Sequence, residues 1–289
     1  MVTRGPSDGP IAYGQDVGTA VGAQILGDSC RHCDYCVRGD QILCPQKHFT
    51  GIMIDGGYVE YAVLKADFVT PLPQGLDPVG TAPLMCAGLT AFNALQRAGI
   101  RPTSRVAVIG AGGLGMLAIR YAAAMGARVA VIGRSDRDLA SGKQAGDELL
   151  ISTQDSDPAE ALKAWHGGAD VILNASPSTA AATAAFTGLA PDGTLVLCGY
   201  GSDPLILPTE AMALRRPHTM INPSGSPHDA RDTLAFSAAH GILPEFTPIG
   251  LRDAGTALDA MARGQSGRGR SSSSTDQMTP NRFRRSDRG

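Results

Sequence analysis

A short glycine-rich run restricts the fold of this chain more than any other feature. The run Gly-Ala-Gly-Gly-Leu-Gly, residues 110–115, directly follows the apolar strand-like residues Val-Ala-Val-Ile, 106–109. An Ala-rich apolar stretch, residues 114–125, follows and predicts a helix. Strand, glycine turn and helix in this order are typical of the first unit of a doubly wound parallel sheet that binds a dinucleotide.

Each glycine of this turn has a predicted task. Gly110 would make the tight turn, Gly112 would let the backbone approach a pyrophosphate, and Gly115 would let the helix close on the strand. The helix N-terminus, at Gly113 and Leu114, would supply N–H donors and the positive end of the helix dipole. The alternative is a glycine-rich loop in an α/β domain that binds nothing.

Strand-like and helix-like segments alternate on both sides of this turn. Predicted strands cover residues 105–109, 128–132, 148–151, 171–174, 194–198 and 219–221, and predicted helices cover 81–97, 114–125, 136–145, 229–239 and 254–262. Such alternation predicts an α/β fold with a doubly wound parallel sheet. Ahead of it, residues 17–25 are predicted to be β-like, and the alternation in residues 56–63 predicts a half-buried strand.

The end of the second predicted strand indicates which dinucleotide is preferred. An acidic residue there would bind the ribose 2′-hydroxyl of NAD, whereas an Arg accommodates the 2′-phosphate of NADP. This strand ends in Gly133, Arg134 and Ser135. NADP(H) is therefore predicted ahead of NAD(H), with Arg134 and Ser135 as contacts. In the alternative interpretation Arg134 is only a solvated loop residue.

Four cysteines form a second motif, spaced C-x2-C-x2-C-x7-C. They are Cys30, Cys33, Cys36 and Cys44. Four thiolates this close in sequence can converge on one tetrahedral Zn²⁺ with no open position, which predicts a structural rather than a catalytic metal. A zinc-ribbon nucleic-acid module and a redox C-x-x-C pair are the alternatives. The first lacks basic surroundings, and the second needs only two thiols.

Composition excludes several classes of function. The formal net charge of −2 gives no electrostatic reason to expect nucleic acid or an acidic membrane as partner. The amino terminus has no apolar stretch typical of a secretory signal, and the longest uncharged stretch, residues 171–191, is interrupted by polar residues and proline. Cysteines spaced for a metal favour a reducing compartment. A cytoplasmic protein without nucleic-acid or membrane partners is predicted.

A third motif, Pro-Leu-Met-Cys-Ala-Gly-Leu-Thr-Ala-Phe at residues 83–92, completes a recognisable order. With it, the chain resembles the zinc-dependent alcohol dehydrogenases of the medium-chain dehydrogenase/reductase superfamily, from about residue 14 to 263. The resemblance implies that the cysteine quartet holds the structural zinc and that Cys86 is the third protein ligand of a catalytic zinc. Thr90 would lie beside the nicotinamide, and Gly199 would belong to the backbone wall near it. Residues 219–221 would form the sheet edge through which subunits often pair.

The sequence departs from that family at both ends. The family's other two catalytic ligands lie in a Cys-His-Ser-like and a Gly-His-Glu motif, and no Cys or His precedes Cys30. We therefore expect that the N-terminal part of the family pattern is missing and that its GroES-like β domain is incomplete. The predicted division is 1–79 and 221–263 for that domain, 80–220 for the Rossmann domain, and 264–289 for a disordered tail without strand-forming residues.

Two functions of different classes follow from these observations. The first is an oxidoreductase that transfers hydride between NADP(H) or NAD(H) and a small alcohol or aldehyde. The second is a non-catalytic protein that binds nucleotide and one structural zinc. For Cys86 itself, a small buried apolar residue is the alternative to a ligand. Apolar faces left without partners are expected around residues 17–25 and 58–64.

Overall fold

A six-stranded parallel sheet is the largest element of the computed structural model, which describes residues 18–134, 148–199, 201–263 and 270–273. The strands in chain order are β1 Val21–Ala23, β2 Leu26–Asp28, β3 His48–Phe49, β4 Val69–Pro71, β5 Arg105–Ile109, β6 Arg128–Gly133, β7 Leu149–Ser152, β8 Ala169–Asn174, β9 Leu189–Leu197, β10 His218–Ile221, β11 Thr247–Gly250 and β12 Arg270–Ser273.

Helices connect these strands and cover both faces of the sheet. The described α-helices are Asp34–Val37, Pro78–Thr81, Ala87–Arg97, Gly113–Ala124, Pro158–Ala164, Thr179–Phe186, Thr209–Arg215, Pro227–His240 and Ala254–Ala262, and the short 3-10 helices are Gln41–Leu43, Ala66–Phe68, Ala82–Met85 and Leu251–Asp253. Within the described part of the chain, no helix combines the length and the hydrophobicity needed to cross a bilayer.

The strand order β7-β6-β5-β8-β9-β10 confirms the predicted doubly wound sheet. All five pairings in this sheet are parallel. The chain starts at β5 in the middle, runs outward to β7, and then returns to β8 on the other side of β5. The switch point between β5 and β8 is where open α/β sheets bind ligands at the carboxyl ends of their strands.

Alternating side chains of the central strands build two apolar cores. Val106 and Val108 of β5 face a cluster that includes Leu89 and Tyr121, whereas Ile109 faces the opposite cluster. Successive side chains of a strand point to opposite faces, so a strand covered on both sides is apolar throughout. This explains why β5 and β6 were recognisable as continuous apolar runs.

The strand predicted for residues 56–63 is not formed. Residues 55–65 have no regular secondary structure, and the side chains of Tyr61 and Val63 are largely or fully exposed. A strand is stable only when its backbone groups pair with a neighbouring strand. None of the described strands pairs with this segment, so its alternation does not produce a sheet.

The smaller strands require two more corrections. Of the β-like residues 17–25, only Val21–Ala23 form a strand, β1; Val17 lies outside the described residues and β2 begins at Leu26, so β1 pairs with β4, and β2 with β3, both antiparallel. In the predicted tail, residues 270–273 form β12, which pairs in parallel with β11. The prediction of no strand there was wrong because ladder hydrogen bonds use backbone groups and do not require β-branched side chains.

Helix predictions in the sheet region agree with the structure within a few residues. The helix predicted at 81–97 is interrupted, since a 3-10 helix ends at Met85 and the α-helix begins at Ala87. Cys86 lies at this break with φ −126° and ψ −78°. The helix predicted at 136–145 lies outside the described residues.

Candidate cofactor and metal sites

The glycine turn after β5 has the geometry that only glycines permit. Gly110 has a φ of +87°, and its N–H donates to the Ile132 carbonyl oxygen at 2.9 Å. A Cβ atom on Gly115 would lie 1.8 Å from the Gly110 oxygen. The helix Gly113–Ala124 can therefore pack directly on the turn only because residue 115 has no side chain.

Open space lies in front of this helix. Gly112 is its N-cap, and a Cβ atom on Gly112 or Gly113 would meet no protein atom within 4 Å. The first N–H groups of a helix have no partner within the helix and carry its positive dipole end. The turn thus leaves room at a point where amide donors, including that of Leu114, favour an anion, and these residues fit a pyrophosphate.

The turn after β8 lies directly beside the glycine turn, because a Cβ atom on Gly110 would be 3.4 Å from the Ser176 Cβ. Asn174 ends β8, and its Oδ1 accepts the Ser176 N–H at 3.1 Å. The Asn174 carbonyl oxygen accepts the N–H groups of Cys198 and Gly199, both at 2.9 Å. A Cβ atom on Gly199 would lie 2.3 Å from the Ser176 oxygen, so this close contact also requires glycine. The structure therefore places both Gly199 and Gly110 next to Ser176, at the switch point.

At the end of β6 the structure leaves a cation exposed. Gly133 is buried, and Arg134 directly after it is exposed to solvent. The Gly133 carbonyl accepts the Thr153 N–H at 3.0 Å, which holds β6 and β7 together at their carboxyl ends. Arg134 is thus at the strand end where a ribose substituent is recognised in such folds. Ser135, the second predicted contact, lies outside the described residues.

The four sulfur atoms of the quartet converge. The Sγ atoms of Cys30, Cys33, Cys36 and Cys44 all lie within 4.8 Å of one another. Four thiolates on a tetrahedral Zn²⁺, with Zn–S of about 2.3 Å, would be roughly 3.8 Å apart. The Sγ atoms of Cys30 and Cys36 are 3.9 Å apart, so this donor set fits zinc with little rearrangement.

Backbone amides surround the sulfurs and stabilise negative charge on them. The Cys33 N–H donates to the Cys30 sulfur at 3.3 Å. The Cys44 sulfur accepts the N–H groups of Cys30 at 3.4 Å and Gln46 at 3.3 Å. Hydrogen bonds to thiolate sulfur orient metal ligands and favour their deprotonated form. The backbone amides therefore fix the positions of the Cys30 and Cys44 sulfurs within the loop.

Two thiols of the quartet have strongly altered acidity. The pKa of Cys30 is lowered to about 6, chiefly by hydrogen bonding from the His32 backbone. A hydrogen bond from the Cys36 backbone acts to lower the pKa of Cys33, but desolvation and the neighbouring thiols outweigh it and raise that pKa to about 11. Without a cation, successive deprotonations of clustered thiols oppose one another, whereas a divalent metal ligates all four as thiolates.

An ion pair connects the cysteine loop to the rest of the molecule. Arg97, at the end of the helix Ala87–Arg97, donates to Asp40 of the loop at 2.8 Å. Arg97 and Arg38 together lower the pKa of Asp40. Both arginines are about half exposed, so the pair contributes modestly to stability and mainly orients the loop.

Cys86 and Thr90 occupy the start of the helix Ala87–Arg97. The Thr90 N–H donates to the Cys86 carbonyl at 2.9 Å, and the Thr90 side chain is buried. Cys86 is exposed to solvent but crowded by protein on its other sides, and this desolvation raises the pKa of its thiol. We looked among the described residues for groups of three or more His, Cys, Asp or Glu whose ligand atoms converge as a metal site requires. The cysteine quartet is such a group, and Cys86 belongs to none.

Sequence reasoning missed the asparagines that join these segments. Asn174 organises the turn after β8, and Asn222 donates to the Thr90 carbonyl oxygen at 3.0 Å. Both are buried. The available signal was the position of each Asn at the end of an apolar strand-like run, with proline directly after Asn222 and three positions after Asn174.

The fold and the sites together define a dinucleotide-binding α/β chain with an associated cysteine metal motif. Comparison with known proteins is consistent with this class. The family model described as alcohol dehydrogenase GroES-like domain matches residues 7–74, and the one described as zinc-binding dehydrogenase matches residues 113–239. These two matches lie on the cysteine-loop region and on the sheet region, respectively.

Individual relatives point to the same family. An alcohol dehydrogenase of Geobacillus stearothermophilus is 33% identical over 249 residues, which is 86% of this chain and 74% of the relative. An NADP-dependent alcohol dehydrogenase C of Mycobacterium bovis is 35% identical over 240 residues, which is 80% of this chain and 68% of the relative. A cinnamyl alcohol dehydrogenase structure from Sorghum bicolor superposes with a TM-score of 0.79 at 28% identity, and the match covers 90% of this chain and 75% of that one. The chain belongs to the zinc-type alcohol dehydrogenases of the medium-chain dehydrogenase superfamily.

Proposed function

We propose that this chain binds NADP(H) and one structural Zn²⁺, and that its reaction is hydride transfer between that cofactor and a small alcohol or aldehyde. The observation that carries the proposal is the open glycine turn, with Gly110 at φ +87° and free space in front of Gly112 and Gly113, at the switch point of a doubly wound sheet. That combination is specific for dinucleotide pyrophosphates.

Preference for NADP(H) over NAD(H) follows from the end of β6. Gly133 supplies no carboxylate, and the exposed guanidinium of Arg134 can pair with a 2′-phosphate. Ser135 is proposed as a second, hydroxyl contact to the same phosphate. The NADP-dependent relative from Mycobacterium bovis supports this preference.

The quartet is proposed to hold zinc for structural reasons only. Four cysteine ligands leave no position for a substrate, so the metal would fix the loop that follows β2 and would take no part in the reaction. The ion pair of Asp40 with Arg97 would transmit that rigidity to the helix of Thr90.

On the substrate side, Cys86 and Thr90 are the proposed contacts. Cys86 offers a thiol at the N-terminal end of the helix, and Thr90 and Gly199 would border the nicotinamide. The alcohol carbon would lose a hydride to NADP⁺ and its hydroxyl a proton, giving an aldehyde and NADPH. The cofactor supplies the hydride-accepting ring, and the chain binds and orients it.

A second candidate is a protein that binds nucleotide and structural zinc without turnover. The observation that favours it is that Cys86 does not converge with two further ligating residues within the described part of the chain. A catalytic zinc needs three protein ligands and an open position.

Metal content, nucleotide binding and turnover separate the two candidates. We would measure zinc per chain, the Kd for NADPH by fluorescence, and NADP⁺ reduction with simple primary alcohols, for the wild type and for Cys86→Ser. In addition to the structural zinc, the enzyme would hold a catalytic zinc with Cys86 among its ligands, so two zincs and turnover, both reduced by C86S, would establish the enzyme. One zinc, NADPH binding and no turnover, unchanged in C86S, would establish the second candidate. A chain that binds no nucleotide would contradict both.

A further inference from the structure

The segment that leaves the sheet edge lies against the helix Ala87–Arg97. After β10, residues 222–226 cross to the helix Pro227–His240, which begins with a capping box between Ser226 and Asp229. Asn222, Ser224 and Ser226 are buried in this crossing. The Ser224 Oγ has no hydrogen-bond partner among the described residues, so the bonds of the Asn222 side chain and of the Ser224 carbonyl connect this segment to the helix.

Asn222 contacts two separate parts of the candidate site. Its backbone N–H donates to the carbonyl oxygen of Leu197, the last residue of β9, at 3.0 Å. Its side-chain Nδ2 donates to the Thr90 carbonyl oxygen, also at 3.0 Å. Two residues after Leu197 the chain reaches Gly199, whereas Thr90 is one helical turn after Cys86. A single residue therefore links the end of β9 to the first turn of the helix that follows Cys86.

A second buried asparagine forms a parallel connection. Asn93 Nδ2 donates to the Ser224 carbonyl oxygen at 2.8 Å. A Cβ atom on Gly225 would lie 2.7 Å from Leu89 Cδ1, so the two segments are in direct van der Waals contact. The Asn93 bond joins the same helix and the same crossing, but it has no partner on β9. It therefore provides a matched comparison for Asn222.

We propose that Asn222 is a positioning residue that sets the separation between Cys86 and Thr90 on one side and Gly199 on the other. This inference rests on the proposed function, in which the nicotinamide lies between these two groups. Asn222 contacts no reacting atom; it acts through the Thr90 carbonyl and the end of β9. A helix carbonyl has a second lone pair, so Thr90 can accept this bond without losing its place in the helix.

The consequence is a coupling between cofactor binding and the Cys86 thiol. A nicotinamide held next to Thr90 would cover Cys86 and slow its alkylation by iodoacetamide. At NADPH concentrations of ten times Kd, we expect protection of about tenfold if the bound cofactor blocks the thiol. Without the Asn222 side chain, the first turn of the helix Ala87–Arg97 is no longer held against the end of β9. The cofactor can then bind at the glycine turn after β5 without covering Cys86.

The experiment compares zinc-loaded wild type, Asn222→Ala, Asn222→Asp and Asn93→Ala. For each, we would measure Tm, the Kd for NADPH, and the rate of Cys86 alkylation, followed by mass spectrometry, with and without NADPH at ten times that Kd. N222D keeps the side-chain volume and removes the donor, so it tests the bond even if N222A folds poorly. The proposal predicts that N222A and N222D keep NADPH binding within about threefold but lose most of the protection, which leaves less than about twofold. N93A should lower Tm comparably and keep full protection.

Other outcomes have distinct meanings. A wild type that binds no NADPH would contradict the proposed function rather than this inference. NADPH binding with equal protection in the wild type, N222A and N222D would overturn the role of Asn222. Equal loss of protection in N93A and N222A would show a general structural effect and would also overturn it. If neither N222A nor N222D folds, the proposal is also overturned, because Asn222 would then be required for folding itself.

Discussion

The Sγ atoms of Cys30 and Cys36 lie 3.9 Å apart, although six residues separate them in sequence. This is nearly the distance of roughly 3.8 Å expected for two thiolates on one tetrahedral zinc. Ser29 accepts a hydrogen bond from the Cys36 sulfur at 3.4 Å, and the other two thiols complete the group. The chain thus brings the four sulfurs into a ligand arrangement by its own local turns.

Replacing Cys44 tests this arrangement. We expect Cys44→Ser to abolish zinc binding at the quartet, because Cys44 is fully buried and accepts two backbone N–H groups. Structural zinc contributes on the order of 10 kcal/mol in small zinc domains, so the free energy of unfolding should fall by several kcal/mol. Metal analysis and thermal unfolding provide the measurement. Cys198→Ala, at a buried cysteine outside the quartet, should keep its zinc, and zinc retained in C44S would contradict the site.

A change at Arg134 tests the cofactor preference. Arg134→Ala should raise the Kd for NADPH by roughly 10- to 100-fold, because a charged hydrogen bond contributes about 1.5–3 kcal/mol. The Kd for NADH should change little. Arg128→Ala is the matched control, since Arg128 lies at the other end of β6 and pairs with Glu148 at 2.9 Å. If R134A raised the Kd for NADPH and the Kd for NADH equally, Arg134 would not contact the 2′-phosphate.

Two glycines of the turn should respond differently to the same substitution. Gly115→Ala would place a Cβ atom 1.8 Å from the Gly110 oxygen, so the backbone must move and both stability and NADPH binding should fall. Gly112→Ala would meet no protein atom within 4 Å, so the nucleotide-free protein should keep its Tm while NADPH binding weakens. Thermal unfolding with and without NADPH separates these cases. A G112A variant with unchanged NADPH affinity would show that the cofactor does not approach this backbone.

Alkaline pH should destabilise the protein through Tyr121. Burial raises the pKa of Tyr121 to about 12, although its hydrogen bond with Ser237 at 2.7 Å acts in the opposite direction. Between pH 10 and 12 the unfolded chain loses the phenolic proton while the folded protein keeps it, so the free energy of unfolding falls as pH rises. Each pH unit in this window costs up to about 1.4 kcal/mol.

Tyr121→Phe removes the titrating phenol, so it should remove this dependence of the free energy of unfolding on pH. Urea unfolding at pH 9 and 11 should show a smaller pH-dependent loss in Y121F than in the wild type. Near neutral pH, Y121F should be less stable by about 1 kcal/mol, because Ser237 loses its partner. Tyr35→Phe is the control, since Tyr35 is partly exposed on the cysteine loop. Identical slopes in Y121F and the wild type would contradict the prediction.

The exposed apolar segment between β3 and β4 should promote self-association. Tyr58, Tyr61 and Val63 are exposed, and Val63 together with Gly27 and Ile54 lines a cavity of about 320 Å³. Large exposed apolar patches are liabilities for aggregation. The double substitution Tyr61→Ser with Val63→Ser should lower light scattering at a given concentration without lowering Tm.

A comparable substitution elsewhere provides the control for this effect. Leu214 is also largely exposed and lies on the helix Thr209–Arg215, away from that segment. Leu214→Ser should leave scattering unchanged. A wild type that stays monodisperse at high concentration, or a double variant that scatters as strongly as the wild type, would show that this face does not drive association.

Local sequence was sufficient to predict the parallel sheet and the glycine turn. The strand β5, the glycines and the following helix were predictable because each depends on residues close in sequence: an apolar run, a positive φ at Gly110, and a helical period. The spacing of the cysteines likewise predicted convergence, since the turns that bring their sulfurs together span only residues 30–44. The role of Ser135 as a cofactor contact stays a prediction, and so do the domain boundaries.

Pairing between distant segments could not be predicted in this way. Residues 56–63 have the alternation of a strand, but none of the described strands pairs with them, whereas residues 270–273 become a strand because β11 lies alongside. The break at Cys86, in a stretch predicted as one helix, was also not recognised from the sequence. Hydrogen-bonding partners decide these cases, and partners are a tertiary property.

By itself, the sequence determined the α/β class, the glycine turn after β5 and the cysteine loop, because short-range sterics and spacing specify each of them. Only the tertiary structure decided how the two sides of the candidate cleft are joined. Asn222 and Thr90 are 132 residues apart, and their buried hydrogen bond exists only because the sheet edge and the helix of Thr90 pack against each other. A contact between distant residues depends on the free energy of the whole fold, and no local pattern encodes it.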